Sequence, residues 1–588
     1  MNSNSATTEL KHNNTFISNT FKRALIPCML SILSANINVI VDGILVGQKI
    51  GSNALAAINL CMPISLFLCV IGSFFSSGTA INSSKLQGVT VSSKSNEYFK
   101  ADIILSYVTS VIVTILGVLL LNPICSFLCS NADVFPYVRA YALITIIGAI
   151  FKIMLYIPFW YLRLDGKNKE VSYMMAVLTI GNVILDVLFV FVLNFGVFGA
   201  GLANVIATAL SFALGMYYLC KPGSSFEFDY KVNWKAIKAK NIIFDGAPSS
   251  INNLCGTIRF LIINSILLSV GGASLVAVFT ALMGVFSIGE CIILGIPQAT
   301  TAMLGVYVGE KDNDSCRLII NTELKYGAII SAVFIVLCLI ASPVVGKIYG
   351  LDDNMFLPLL FMSISIFPSL VCQAISGYYN ISGKNTLSII IIVSRLIVMT
   401  YIGLLIAIKF EISEFFFFIF AEITTLIILY IITGIYCFKH KNVDRFMLCK
   451  LTHERKGQVI NFSVENNKEK ICEACEMISE FCTENGLDAK ETMKIQLAIE
   501  EALVLISELN AKTAEIIDGF DIRAFLTDDI KGLRIRYDGL DFNPFDGKMD
   551  SDDYMGIRMI NSMLETTVYK RTFGVNTLIL LLKEKASE

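Results

Sequence analysis

The sequence predicts a polytopic α-helical membrane protein of twelve spans, arranged as two parallel six-helix repeats and followed by a soluble α/β sandwich. Three observations predict it. Twelve apolar runs, each long enough for the roughly 20 residues that cross a bilayer, fill positions 24 to 438. Over the 588 residues 55% are hydrophobic and 16% charged, against about 25% charged in soluble domains, and the mean hydropathy is +0.67. After residue 439 the apolar runs stop and the pattern becomes that of a soluble domain.

The runs fall near 24–46, 54–80, 103–126, 135–162, 171–194, 196–219, 246–269, 275–304, 325–349, 355–381, 386–408 and 413–438. Several exceed a plain span, which implies tilt, kinks or interfacial extension. Lys and Arg set the orientation. Alternate loops carry Lys22, Arg23, Lys85, Lys94, Lys100, Arg163, Lys167, Lys231, Lys235 and Arg317, whereas the opposite side carries only Lys49, Arg139, Lys347 and Lys409. Both termini are therefore expected in the cytoplasm of a bacterial-type cell, with the chain in its inner membrane. The opening MNSNSATTELKHNN has no basic stretch leading at once into an apolar core and cleavage site, so the first span is expected to direct insertion.

An internal repeat organises the spans. Pro27 and Pro248, Gly51 and Gly272, Thr79 and Thr300, and Gly88 and Gly309 all lie 221 residues apart. Two halves in the same orientation follow, related by an axis along the membrane normal, with a transporter-type site near their interface. The expected domains are an amino-terminal tail (1–20), a first bundle (21–220), a linker (221–245), a second bundle (246–438), a basic linker (439–455) and the soluble domain (456–588).

Composition also narrows the chemistry. A net charge of −2 gives no case for nucleic acid. Three histidines, His12, His440 and His453, are too scattered for a His-based metal site. The 16 cysteines are mostly isolated in apolar runs, as small hydrophobes. Cys472 and Cys475 form a C-x-x-C with no second ligand pair nearby, and read as residues of one helix rather than zinc ligands.

Asp42 and Asp186 each sit inside an apolar run. A charged carboxylate at mid-bilayer costs roughly 2.5–3.5 kcal/mol even on lenient scales, so each needs a partner or a water-filled cavity. They are candidate ion or proton sites; the alternative is a structural hydrogen bond to a neighbouring helix. Asn182 stands four residues before Asp186, on the same helix face. Lys152, Arg259, Glu290, Arg395 and Glu422 also lie in or near apolar runs, and Arg259 is one candidate to pair with Glu290.

Three patches carry a resemblance. INVIVDGILVGQKIGSNALAAINLCMPIS (37–65), GNVILDVLFVFVLNFGVFGAGLANVIA (181–207) and GVYVGEKD (305–312) resemble the multidrug and toxic compound extrusion (MATE) family over about 420 residues. The resemblance implies drug–cation antiport by alternating access. It implies a proton or sodium site at Asp42, Asn182 and Asp186, with Asn204 in place of the family's hydroxyl, and a helix bend at Pro27. Cationic small molecules are the implied substrates, with lipid around the spans.

The tail is expected to form a strand (459–464), two helices (468–485 and 489–509), strands near 516–526 and 533–537, a helix near 554–564 and a hairpin (568–582). GLDAKETMKIQLAIEEALVLISELN (486–510) resembles the first box of histidine-kinase-like ATPase domains, closest to anti-sigma-factor serine kinases. That family's E-A-x-x-N reads here Glu501-Ala502-Leu503-Val504-Leu505, with leucine where magnesium needs oxygen. Asp538-Gly539 and Gly556 match later nucleotide-contacting positions. The resemblance implies ATP as the tail's ligand. The incomplete set implies a regulatory domain without turnover, with a protein partner. The rival readings are a lipid-linked saccharide flippase and a membrane sensor with a kinase tail.

Overall fold

The apolar runs fold as helices because lipid offers a backbone N–H or C=O no partner, and a helix satisfies both within one segment. The computed structural model describes residues 15–582 except 51, 89–92, 130, 132, 229–231, 235–236, 349–354, 441–442, 450–456, 513–518, 527–530, 540, 542 and 545–563. Within helices and strands the side chains of 39–48, 50, 52–55, 93, 273, 509–512, 564 and 582 are outside the description. The chain forms two compact units: Ala24–Gly309 with Ile320–Tyr436, and Met1–Arg23 with Glu310–Ile319 and Cys437–Glu588.

In chain order the helices are α1 (Thr15–Ile50), α2 (Ser52–Gly88) and α3 (Ser93–Leu119). Then come α4, the pair Phe135–Ile147 and Ala149–Leu164 bent by 51°, α5 (Asn168–Val192), α6 (Gly196–Cys220), α7 (Ala239–Gly272) and α8 (Ser274–Gly309). The rest are α9 (Asn313–Lys347), α10 (Phe356–Ile381), α11 (Asn385–Lys409) and α12 (Glu414–Lys439). Among the described residues ten single helices are long and apolar enough to cross a membrane, eleven with the bent pair; α1 covers the first predicted run.

Two expectations are corrected. The fourth run is broken, at Gly148, where a Cβ would lie 2.2 Å from Val205 Cγ2 on α6. Several helices also start before their apolar runs, α9 at Asn313 rather than near 325. Charged residues expected in loops therefore lie inside helices. Pro27, where a bend is implied, lies inside α1.

The halves repeat locally. Gly166-Lys167-Asn168 leads into α5 at Asn168 and Gly383-Lys384-Asn385 into α11 at Asn385, each glycine at positive φ (75° and 80°). Both helices contain a π turn, Val187–Val192 and Ser394–Val398. Glycines let α2 cross α7 and α8 closely. A Cβ on Gly78 would lie 2.3 Å from the Ile242 carbonyl, one on Gly246 2.1 Å from that of Phe74, and one on Gly309 2.1 Å from that of Lys85.

In the second unit a five-stranded antiparallel sheet, ordered β1-β2-β3-β5-β4, is built from β1 (Val459–Glu465), β2 (Gly519–Leu526), β3 (Lys531–Tyr537), β4 (Leu564–Thr572) and β5 (Val575–Leu582). Alternation assigns its faces. Phe520, Ile522, Ala524, Leu533, Ile535 and Leu578 pack with α13 (Lys468–Glu484) and α14 (Ala489–Lys512) into one core. Asp521, Arg523, Arg534 and Arg536 occupy the intervening positions. The final hairpin turns at Phe573 and Gly574, both at positive φ (40° and 84°), as a two-residue turn requires. The helix expected near 554–564 falls outside the described residues up to Leu564, where β4 begins. Cys475 is buried in the core, where burial pushes its thiol up to about 12, while Cys472 is exposed.

Candidate functional site

The geometry begins between α1 and α5. Ser172 Oγ donates to the Pro27 carbonyl at 2.6 Å, and Thr179 Oγ1 to the Ser34 carbonyl at 2.7 Å. Two turns of α5 are thereby clipped to α1, the helix of Asp42. The Asp42 side chain itself lies outside the described residues. On α5, Asn182 and Asp186 are both 0% exposed. Asn182 Nδ2 donates to Asp186 Oδ2 at 3.0 Å, as the four-residue spacing predicts. The Asn182 amide oxygen is buried without a hydrogen-bond partner. The π turn opens immediately after Asp186; such turns often mark functional sites.

Asn204 lies on α6. It lines a central cavity of about 500 Å³, which Asn182 and Asp186 do not line. Both halves contribute to this cavity: Asn36, Asn38, Lys152 and Trp160 from the first, Asn252, Gln298, Glu323 and Gln373 from the second.

Glu323 is a functional candidate that the run boundaries hid. It is 1% exposed on α9 and accepts from Thr300 Oγ1 at 3.1 Å, while its other oxygen is buried without a hydrogen-bond partner. The repeat could have found it: Asp102 lies 221 residues earlier, just as Thr79 precedes Thr300. Asp102 is likewise 0% exposed and accepts from Ser106 Oγ at 3.0 Å. Other pairs form than the candidate Arg259–Glu290. Arg395 lies 3.8 Å from Glu422, and Glu290 accepts from Asn36 Nδ2 at 3.2 Å.

The other unit carries a second cluster. Asp312 caps α9, accepting from Ser315 N–H at 3.1 Å and Ser315 Oγ at 2.8 Å. The polar sheet face encloses it: Arg523 lies 2.5 Å and Arg534 2.9 Å from its carboxylate. Arg534 and Arg536 each reach Glu310 at 2.6 Å, and Arg534 also holds Asp521 at 2.8 Å. Burial alone would raise the Glu310 carboxyl; Arg536, Arg534 and Lys570 outweigh it and hold the group low. Burial likewise opposes ionisation of Asp312, yet Arg523 and Arg534 hold it well below the usual carboxylate range. Burial brings Lys570 down to about 8, against the pull of Glu310.

The nucleotide-type positions lie in the soluble part of the chain. Glu501 is half-buried on α14, and Leu505 packs against the core. Asp538 pairs with Arg23 at 3.0 Å, Gly539 follows at φ 100°, and Gly556 lies outside the described residues.

The MatE family profile matches residues 27–188 and 248–405, more than half of the chain. The chain belongs to the MatE family. The two matched segments begin at Pro27 and Pro248, the prolines that open the sequence repeat. Among curated relatives, the multidrug export protein MepA of Staphylococcus haemolyticus is 24% identical, the match covering 60% of this chain and 77% of MepA. The probable multidrug resistance protein YoeA of Bacillus subtilis is 23% identical, covering 61% and 80%. A solved outward-facing multidrug resistance MATE family transporter of the MOP superfamily superposes with a TM-score of 0.65 at 21% identity, covering 73% of this chain and 98% of that one. At that identity the likeness shows the fold, a MATE-type bundle of membrane helices.

Proposed function

We propose that the chain is a secondary antiporter that exports cationic organic compounds by alternating access, powered by inward movement of protons or sodium. The observation that carries this reading is the central cavity, lined by amides from both halves and by the buried Glu323. A site shared between two repeats is what rocking of one half against the other can expose to each side in turn. Two relatives named for multidrug export and resistance support the substrate class. Asp42, Asn182 and Asp186 form the coupling site in this reading. A carboxylate that takes a proton or sodium there loses its net charge, and the contacts between α1 and α5 change with it. Each charge carried down 100 mV supplies about 2.3 kcal/mol. The topology proposed is twelve spans in two parallel halves, with both termini in the cytoplasm of a cell whose inner membrane holds the protein.

The tail is proposed to be regulatory, with the histidine-kinase-like ancestry its sequence resembles and without ATP turnover. Leucine at the magnesium position faces a packed core, and Asp538 is engaged by an arginine. The arginines of its sheet are engaged by Glu310 and Asp312. Uptake of ethidium into everted vesicles, under a pH gradient and then a sodium gradient, tests the transport reading. Export driven by one of them, and lost in Asp186→Asn at unchanged expression, is expected; export without either gradient contradicts it. Calorimetry of the full chain with ATP tests the tail, and magnesium-dependent micromolar binding contradicts the degenerate reading.

A further inference from the structure

A second cavity, of about 260 Å³, opens among α7, α8, α10, α11 and α12, wholly within the second half. Its charged lining is Arg259, Glu290 and Arg395. Two of these are committed. Arg395, 5% exposed, donates to the Ser369 carbonyl at 3.3 Å and to Gln373 Oε1 at 3.4 Å, and lies 3.8 Å from Glu422. Glu290 is held by the Asn36 amide.

Among the described residues Arg259 makes no such hydrogen bond, although Glu422 and Glu290 act on it through space. Its guanidinium lies over the rings of Phe418 and Phe417, at 5.6 and 5.9 Å, and among the described residues no oxygen accepts a hydrogen bond from it. An arginine inside an apolar span is expensive, and such groups mark ligand pathways. The planar fork of N–H donors matches a carboxylate bidentately, which a lysine cannot do. The walls beside it are aromatic: Phe260 and Phe279 pair at 5.8 Å, and Phe286 and Phe418 at 6.0 Å.

We propose that this cavity binds the carboxylate end of an amphipathic aromatic substrate, with Arg259 as its anchor. Glu290 on the same lining disfavours a bare anion, so the ligand class is the zwitterionic aromatic acid. This rests on the export reading above and narrows its substrate class.

The test uses the full chain in detergent micelles and two probes that differ only in the anion, a zwitterionic fluoroquinolone and its methyl ester, in equilibrium dialysis. The wild type is expected to bind the acid more tightly than the ester. Arg259→Gln is expected to weaken the acid about tenfold, the loss typical of a charge-assisted hydrogen bond, while still binding the ester. Arg259→Lys should fall between, because a point charge replaces the fork. Equal binding of acid and ester by the wild type overturns the proposal. So does an Arg259→Gln variant that weakens both probes alike, the mark of a structural role. Displacement of the acid by phosphatidylglycerol but not phosphatidylcholine supports the same anion site and makes a lipid headgroup its occupant. Ethidium export by the wild type is measured separately: a wild type that exports the dye without preferring the acid sinks only this proposal. One that prefers the acid but exports nothing sinks only the export reading.

Discussion

Asp312 caps α9 and Glu323 lies on it, and both are buried, at 0% and 1% exposure, yet their surroundings are opposite in kind. Asp312 caps the helix inside a cage of two guanidinium groups and the Ser315 donors. Glu323 has one threonine hydroxyl, an oxygen without a hydrogen-bond partner, and a cavity wall. Burying an unpaired charge is far more costly than burying a paired one. Fixed counter-charges make Asp312 a permanent structural anion. Neutral partners leave Glu323, in the export reading proposed above, to be balanced by something that arrives, a proton or a cation. In that reading the same residue class serves architecture in one unit and traffic in the other, and the partner decides which.

Export assays probe the traffic side of that contrast, where the largest effects are expected. Asp186→Asn should reduce coupled ethidium efflux to background, and Glu323→Gln should cut it at least tenfold, about 1.4 kcal/mol. Full activity in Glu323→Gln would erase the distinction drawn here. On the architectural side, Arg534→Met strands Glu310, Asp312 and Asp521 together. Loss of one partner from a buried ionic cluster costs about 3–5 kcal/mol, so thermal unfolding of the purified chain should shift down by several degrees. Gly246→Val forces a side chain against the Phe74 carbonyl, where a Cβ alone would already lie 2.1 Å away. A loss of about 1–3 kcal/mol in stability is expected.

The smallest effects are in pH. Folded-state values held low for Glu310 and Asp312 give stability that is complete above the unfolded carboxylate range and declines as pH falls below about 4. Lys570 runs the other way: folded, it is lowered to about 8 from 10.5. Its burial penalty is present at neutral pH and is relieved as pH rises through that interval, so stability should climb there. Lys570→Met should flatten the climb in a melting-temperature series.

Much of the architecture was legible before any coordinates. Apolar runs placed the membrane-type helices, ten among the described residues and eleven with the bent pair, because lipid leaves a chain no alternative to intrahelical hydrogen bonds. In the tail, period-two patterning foretold the strands that became β1, β2 and β3. The Asn182–Asp186 contact was also legible, since a four-residue spacing is a local property of a helix. Glu323 was hidden because hydropathy ends a span where charge begins, whereas the helix continues through Asn313–Lys347. That Asn204 lines the central cavity is a matter of how α6 packs, which the sequence does not state.

By itself the sequence determined what depends on neighbours along the chain: the helices, the 221-residue repeat whose prolines open both family segments, the strand alternation and the acid–amide pair. Tertiary structure alone decided which charges meet. Arg395 found Glu422 rather than Arg259 finding Glu290, Asn36 crossed between halves to reach Glu290, and Glu310 and Asp312 met arginines more than 200 positions away. Charge pairing acts through space over a few ångströms, and residues that close in space can be any distance apart in sequence.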